Sequence, residues 1–541
     1  VAATEFVIGA LFVNGGAKVF DIVVGLLLGN LAAVLSWALV CAPIAVQTRL
    51  TLYWYLRSIA GPYVMVVYNV LNAVLYCILA GAMITVSASA VRIPFRIPPQ
   101  ISWYPQDVRF VLVVVVVGAV VVTLAILGFK KLAQFAVICS PWLLVMFVAG
   151  ALVLLPSLAA GSPQVTRICG LADFWTLARA KIWTGTAITC QSRLGFWHVA
   201  AFAWICNLAM HLGLSDMAIF RYARRASYGF YSAFGMFLGH YLAWICAGIM
   251  GAGTAELLSR PLAQLDAGEV AYQALGAAGV IAVVIAGWTT SNPTLYRAGL
   301  AFQSVTPNWA RWKVTLAAGI VTTAVACLPF VFTKLLGFVG LYGLLLMPVG
   351  AIVTAEHWIF PHIGLVRFWA TRKGAQLNVP ALAAWAISTA VAMICWRWGI
   401  IHLFFLAAPV WLLALLLYAV FSALAGAARA PAPPSQGADC REASGYEYEP
   451  AAKLKEVPSA SEAGPGWPGK QKIRFYQLSG LVALAALFVC LSTAAWVFTA
   501  PQESYWYRLV CFKQIVLWVS LIYFVGGVVW MNRPKKQETL E

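Results

Sequence analysis

Apolar runs of bilayer-crossing length follow one another from the first residue to residue 424 and return twice after residue 475. In hydrocarbon every backbone N–H and C=O must be paired inside the chain, so a repeated pattern of this length fits spanning helices. Hydrophobic residues make up 62% of the chain and charged residues 10%, where soluble proteins carry about 25% charged residues. The chain reads as an all-α integral membrane protein of about fourteen spans. They are expected at residues 1–19 (partial), 20–46, 63–88, 110–127, 132–155, 198–218, 230–253, 270–291, 314–332, 336–360, 381–396, 403–424, 476–498 and 507–530. Residues 1–424 form the core of about twelve spans. Residues 425–474, rich in Pro, Ala, Gly, Ser and Glu, read as a flexible linker. Residues 475–541 add two spans and a basic tail.

The net charge of +18 does not point to nucleic acid, because the cations sit in loops between spans. Starting inside, Arg49, Arg57, Lys130, Lys131, Arg221, Arg224, Arg225, Arg297, Arg311, Lys313, Arg367, Arg372 and Lys373 share one side with the linker and the tail. The positive-inside rule makes that side cytoplasmic, in a plasma or bacterial inner membrane. The cysteines lack metal-like spacing; Cys169 and Cys190 share one loop that an oxidising compartment would let them bridge. The start at Val1 reads as the inside of a helix.

With so few charges, polar residues within spans carry the information. Residues 283–303 place Thr289, Thr290, Ser291 and Asn292 side by side at the expected end of a span, with Pro293 next. Two adjacent hydroxyls suit an alkali cation; the alternative is that they bond back to the preceding turn. Asn69, Asn72 and Tyr76 share a helix face that either joins helices or lines a pocket. Asn207, His211, Ser215 and Asp216 recur at helical spacing beside Gly213, a candidate break. His211 reads as an interhelix hydrogen bond or a ligand, and Asp216, followed by RYARR, is placed at the membrane edge. Glu356, near a span end, reads as structural or gating. Motifs for acyl transfer, nucleotide hydrolysis or zinc hydrolysis are missing, which argues against an enzyme or an ATP-driven pump and leaves an ion gradient as the energy source.

Four stretches carry a family resemblance. WTTSNPTLYRAGLAF (288–302) resembles the W-[ST]-T-N-x-x-x-L-Y-x-x-G-L segment of the nucleobase:cation symporter-1 family, which includes purine, cytosine and allantoin permeases. FVIGALFVNGGAKVFDIVVGLLLGNL (6–31) is similar to its first two helices, TRLTLYWYLRSIAG (48–61) to its hinge, and MPVGAIVTAEHW (347–358) to a later segment. The resemblance implies a LeuT-type fold of two inverted five-helix repeats with extra C-terminal helices and a truncated first helix. It implies sodium ligands at Thr289, Thr290 and the Ala286 carbonyl, with a first-helix partner near Ala3. It implies substrate contacts from Asn72 and Tyr76 in the third helix and from Trp204, Asn207 and His211 in the sixth, with Asn292 beside them. Glu5, next to the first-helix break, is a proton or substrate site or a carboxylate at a helix end. Arg49 stands where the family has Gly. The expected function is import of a small nucleobase-like or hydantoin-like solute coupled to Na⁺ or H⁺, with no other cofactor. The rivals are a LeuT-type amino-acid or polyamine transporter, a substrate-sensing receptor without transport and, last, a membrane-embedded enzyme.

Overall fold

Side-chain caps set where several helices begin. Thr51 Oγ1 accepts from Trp54 N–H, Asp107 Oδ1 from Arg109 N–H at 2.8 Å, and Asn378 Oδ1 from Ala381 N–H at 3.2 Å. Asp266 and Glu269 cap one another's backbone reciprocally, so donors left over in a first turn are paired. The computed structural model describes residues 4–100, 102–187, 193–333, 335–429 and 470–533. Ala3, Cys190 and most of the expected linker lie outside the described residues. The helices are α1 (Thr4–Asn14), α2 (Asp21–Thr48), α3 (Leu52–Val91), α4 (Val108–Leu127), α5 (Phe129–Ala160), α6 (Leu171–Leu177), α7 (Phe196–Ile205), α8 (Tyr228–Leu258), α9 (Ala267–Leu275), α10 (Ala277–Val305), α11 (Arg311–Ala326), α12 (Leu335–Thr354), α13 (Val379–Arg397), α14 (Ala407–Leu424), α15 (Lys470–Phe498) and α16 (Gln502–Met531).

Ten helices among the described residues are long and apolar enough to cross a membrane. The other expected spans fall on α1, the interrupted stretch 196–220, α10 and α11, which are shorter or more polar. Two spans differ from expectation. The span expected at 270–291 is instead split at Gly276 (φ 62°) into α9 and α10, and α10 runs on through Pro293 to Val305. Within hydrocarbon a proline bends a helix more readily than it ends one, because no water competes for the backbone. The span expected at 198–218 unwinds after Ile205. Leu214 takes φ 61°, and Ser215 N–H and Asp216 N–H reach back to the Ala209 and Met210 carbonyls, both at 3.2 Å.

The core helices pack as two groups. One is α1, α2, α7 and α8; the other is α3, α4, α10 and α11, in which α3 and α10 lie against each other along most of their length. Small residues permit the closest approaches: a Cβ on Gly29 of α2 would overlap the Ala200 carbonyl of α7. Helix α5 touches both groups and is fastened to the C-terminal pair. Trp142 Nε1 donates to Ser520 Oγ at 2.9 Å, Tyr505 Oη to the Val153 carbonyl at 2.9 Å, and Tyr523 Oη to the Ile138 carbonyl at 2.6 Å.

Helix α3 breaks at Gly61 (φ 82°, ψ 170°), immediately before Pro62. The carbonyls at the break are recaptured from one distant loop. Thr371 Oγ1 donates to the Ser58 carbonyl at 2.6 Å, Asn378 Nδ2 to that of Ile59 at 2.9 Å, and Asn378 N–H to that of Ala60 at 3.1 Å. Tyr418 Oη, which accepts from Asn378 Nδ2, donates to Glu356 at 2.5 Å, and Glu356 also takes the Phe368 N–H. Glu356 is thus fully buried within a structural network. Asn378→Ala should destabilise the detergent-solubilised protein by about 2 kcal/mol, the cost of stranding a buried carbonyl and losing a cap. Thermal unfolding checks it, and an unchanged midpoint would contradict the recapture.

Candidate functional site

Helix α10 carries the hydroxyl pair on a half-buried face. Thr289 Oγ1 and Thr290 Oγ1 both donate to the Ala286 carbonyl, at 2.9 and 3.3 Å, and Thr294 Oγ1 donates to that of Thr290 at 2.6 Å. The back-bonded arrangement is therefore the one present, and it also gathers three oxygens around a single turn. Hydroxyls that donate to a carbonyl keep lone pairs for a cation. Thr290, Pro293 and Arg297 follow one stripe of the helix. Asn292 lies about 200° from Thr290 at 100° per residue. It stands between Trp288 and Tyr296, whose rings approach Phe135 and Phe129 of α5 at 6.4 and 6.5 Å. Both Asn292 amide atoms are buried without a hydrogen-bond partner among the described residues. The structure does not bring Asn292 together with the other predicted contacts.

The pairing of α3 with α10 fixes the level of the third-helix residues. Ser87 lies beside Val284 and Gly287, Ala73 clusters with Ala301, and Asn69 Nδ2 donates to Ser304 Oγ at 2.7 Å. In this antiparallel register residues 83–85 stand opposite Thr289 and Thr290, whereas Tyr76 and Asn72 stand opposite residues 297–302. Both are fully buried, but about two turns (Tyr76) and more than three turns (Asn72) along from the hydroxyl pair. Asn72 is held by Tyr53 Oη at 3.4 Å and Tyr68 Oη at 3.3 Å.

At the Tyr76 level sits the largest departure from expectation. Asp216, placed at the membrane edge by its sequence context, is 7% exposed and forms an ion pair with Arg297, which is 4% exposed and lies inside α10 rather than in a loop. Trp37 Nε1 donates to the second carboxylate oxygen at 2.7 Å, from a π-helical turn of α2 (Trp37–Cys41). Such wide turns re-aim side chains. The Arg297 charge acts on Tyr53, Tyr76 and Tyr342, and Ser215 lies against Tyr68 and Tyr76. The pair joins the two helix groups, since Asp216 and Trp37 belong to one and Arg297 to the other.

His211 packs on Trp37 with ring centroids 4.7 Å apart, and its Nε2–H donates to the Trp204 carbonyl at 2.9 Å, bridging the unwound stretch. Trp204 turns its indole N–H to Ser36 Oγ of α2 at 3.1 Å, and Asn207 is half-buried at the break. Among the described residues no hydrogen bond joins the Trp204 or Asn207 side chain to Asn72 or Tyr76, while His211 reaches the level of Tyr76 through Trp37 and Asp216. Glu5 is buried against α8, accepting from Trp244 Nε1 and lying 3.5 Å from His240 Nε2. Arg49 takes the left-handed conformation (φ 58°) that a Gly would adopt without strain. It donates to the Arg221 carbonyl at 3.0 Å and to that of Ala223. Asp216 and Arg297 were missed as a pair because they are 81 residues apart; the available signal was that each is a charge within or beside an apolar run.

No family model and no curated protein matches the sequence. Solved structures do match in fold. Mhp1, a nucleobase-cation-symport-1 family transporter in a closed conformation with bromovinylhydantoin bound, aligns with TM-score 0.57 and 16% identity over 82% of this chain and 94% of its own. The chain has a LeuT-type fold. The inward-facing conformation of Mhp1 aligns with TM-score 0.53 and 15% identity over 78% of this chain and 90% of that one. A Na⁺-coupled sialic acid symporter in a substrate-bound outward-open state gives 0.54 and 12%, covering 78% and 87%.

Arg297→Met alone should cost about 3–5 kcal/mol, because it leaves the Asp216 carboxylate buried without its partner. The Asp216→Leu/Arg297→Met double variant should recover most of that loss. Denaturation of the four proteins of this cycle measures it; equal instability of single and double variants would show that the two charges do not act as a pair.

Proposed function

We propose that the protein is a cation-coupled secondary transporter that imports a small nucleobase-like or hydantoin-like heterocycle. The observation that carries this reading is the oxygen cluster of Ala286, Thr289 and Thr290 gathered on one turn of α10. The likeness in fold to cation-coupled symporters supports it. A hard cation takes several oxygen ligands, and broken helices near mid-membrane are where such folds assemble them. Cation binding at the α10 hydroxyls, completed from the start of α1, would favour closure on the solute. The groups α1–α2–α7–α8 and α3–α4–α10–α11 would then rock against each other. Fourteen spans, with the linker and tail cytoplasmic, complete the proposed topology.

Uptake into proteoliposomes tests the reading, with labelled uracil, cytosine, allantoin and hydantoins offered under a sodium gradient, a pH gradient or neither. Gradient-driven accumulation is expected for at least one of them. Binding without uptake would favour a receptor, and uptake restricted to amino acids or polyamines would replace the heterocycle. The Thr289→Ala/Thr290→Ala variant should abolish sodium-stimulated uptake while leaving the thermal midpoint within a few degrees; stimulation that survives both changes would overturn the ion site.

A further inference from the structure

Beside the Asp216–Arg297 pair, Arg297 Nε and His211 Nδ1 are buried without a hydrogen-bond partner among the described residues, and the Tyr76 and Ser215 hydroxyls have none beyond one another and Tyr68. They belong to side chains that are at most 4% exposed. Buried polar groups are nearly always paired, and two unpartnered atoms beside hydroxyls that bond only among themselves mark a place where a ligand or water completes the bonding. Their chemistry is one-sided. Arg297 Nε–H is a donor only, and the Tyr76 and Ser215 hydroxyls can both donate. Asp216 is already taken by Arg297 and Trp37. Because His211 Nε2–H donates to a carbonyl, its Nδ1 is left as an acceptor.

Resting on the transport reading above, we propose that this cluster is the anion-recognising half of the solute site and that the transported heterocycle carries a carboxylate. The guanidinium edge and the two hydroxyls would receive the carboxylate oxygens, and His211 Nδ1 would receive a ring N–H. Charge balance supports the assignment. Asp216 and Arg297 cancel, so a carboxylate entering beside them leaves a net negative charge in a low-dielectric space, which is unfavourable unless a cation accompanies it. The oxygens of Thr289 and Thr290 lie on the same stripe of α10, about 10 Å along the axis from Arg297. A cation there and an anion at the cluster would each raise the other's affinity on the order of tenfold at an effective dielectric constant of about 20. A neutral heterocycle offers the spare donors only uncharged carbonyl acceptors, which bond about half as strongly, and gains less from the cation.

The test is binding to the purified full chain in sodium, followed by calorimetry or by tryptophan fluorescence, with matched pairs of solutes. Uracil is set against orotate, hydantoin against hydantoinacetate, and N-acetylneuraminate against its methyl ester. The carboxylated member of a heterocyclic pair should bind about tenfold more tightly than its neutral parent. Tyr76→Phe and Ser215→Ala should each weaken binding of the carboxylated member several-fold more than that of its neutral parent. Preference for the neutral member would overturn the inference and leave the heterocycle reading standing. Binding of N-acetylneuraminate but of no heterocycle would keep the anion site and reject the heterocycle. Equal weakening of both members by Tyr76→Phe and Ser215→Ala would show a role in gating or packing instead. Failure of every carboxylate to bind at millimolar concentration would likewise overturn the inference.

Discussion

A helix interrupted inside hydrocarbon exposes carbonyls that no water can reach, and this protein's architecture follows from how each interruption is closed. At Gly61 the three exposed carbonyls are taken by Thr371 and Asn378. Asn378 in turn connects through Tyr418 to Glu356, so one break ties α3 to α12, to α14 and to the loop before α13. The break after Ile205 is closed differently, by residues of the same stretch: His211 returns to Trp204, and the amides of 213, 215 and 216 return to carbonyls five or six residues back. A break fastened by distant segments is immobilised with them. The one after Ile205 is closed largely by its own residues and is tied to α2 through Trp37 and Cys41 and to α10 through Asp216.

Between the two groups the strongest single contact is ionic. Burying Asp216 and Arg297 is expensive unless each charge meets the other with further hydrogen bonds, and Trp37 supplies one of these. Such a pair contributes little net stability compared with an apolar contact of the same size, so its presence here calls for a role other than holding the fold together. Two charges on opposite sides of an interface can part when water enters from the inner side, which an apolar seam would resist. Phe129 stacks on Tyr222 with ring centroids 4.9 Å apart and lies 6.5 Å from the ring of Tyr296, the neighbour of Arg297 in sequence.

Much of the fold could be read from the chain because its driving pattern is one-dimensional. A run of apolar residues in a bilayer has few alternatives to a helix, and the Gly-Pro at 61–62 and the fourteen apolar stretches announce themselves. Errors arose where a local rule from water was applied in hydrocarbon. A span end is expected at residue 291, just before Pro293, yet α10 continues past both. Arg297 was counted as a loop cation because charges normally leave the membrane, and Asp216 was placed at the edge for the same reason. Neither error is visible locally, since each charge is tolerated only through the other. The stripe of Asn69, Asn72 and Tyr76 was correctly seen as one face, but its level against Thr289 depends on the register of α3 on α10, which rests on Ser87 and Asn69 finding their partners. Trp204 and Asn207 rest on the resemblance alone, and the helical spacing that joins Asn207, His211, Ser215 and Asp216 crosses a stretch that is not a regular helix.

The placement of charges along α10 bears on why coupling would be obligatory rather than incidental. Thr289, Thr290 and Arg297 are fixed on one rigid helix of one group, while Asp216 and Trp37 come from the other. A carboxylate at the guanidinium would therefore be held where the two groups meet, with a cation at the hydroxyls about 10 Å away along α10. Opening that interface would weaken the anion site, which loses the partners contributed by the opposite group, and with it the attraction that favours the cation. Moving one charge alone would require the groups to close around an unbalanced charge in a medium where it interacts several-fold more strongly than in water. Closing around a neutral set of four charges, two of the protein and two of the cargo, avoids that cost. On this argument the ion pair sets the stoichiometry: it is neutral by itself, so each solute anion admitted beside it calls for one cation.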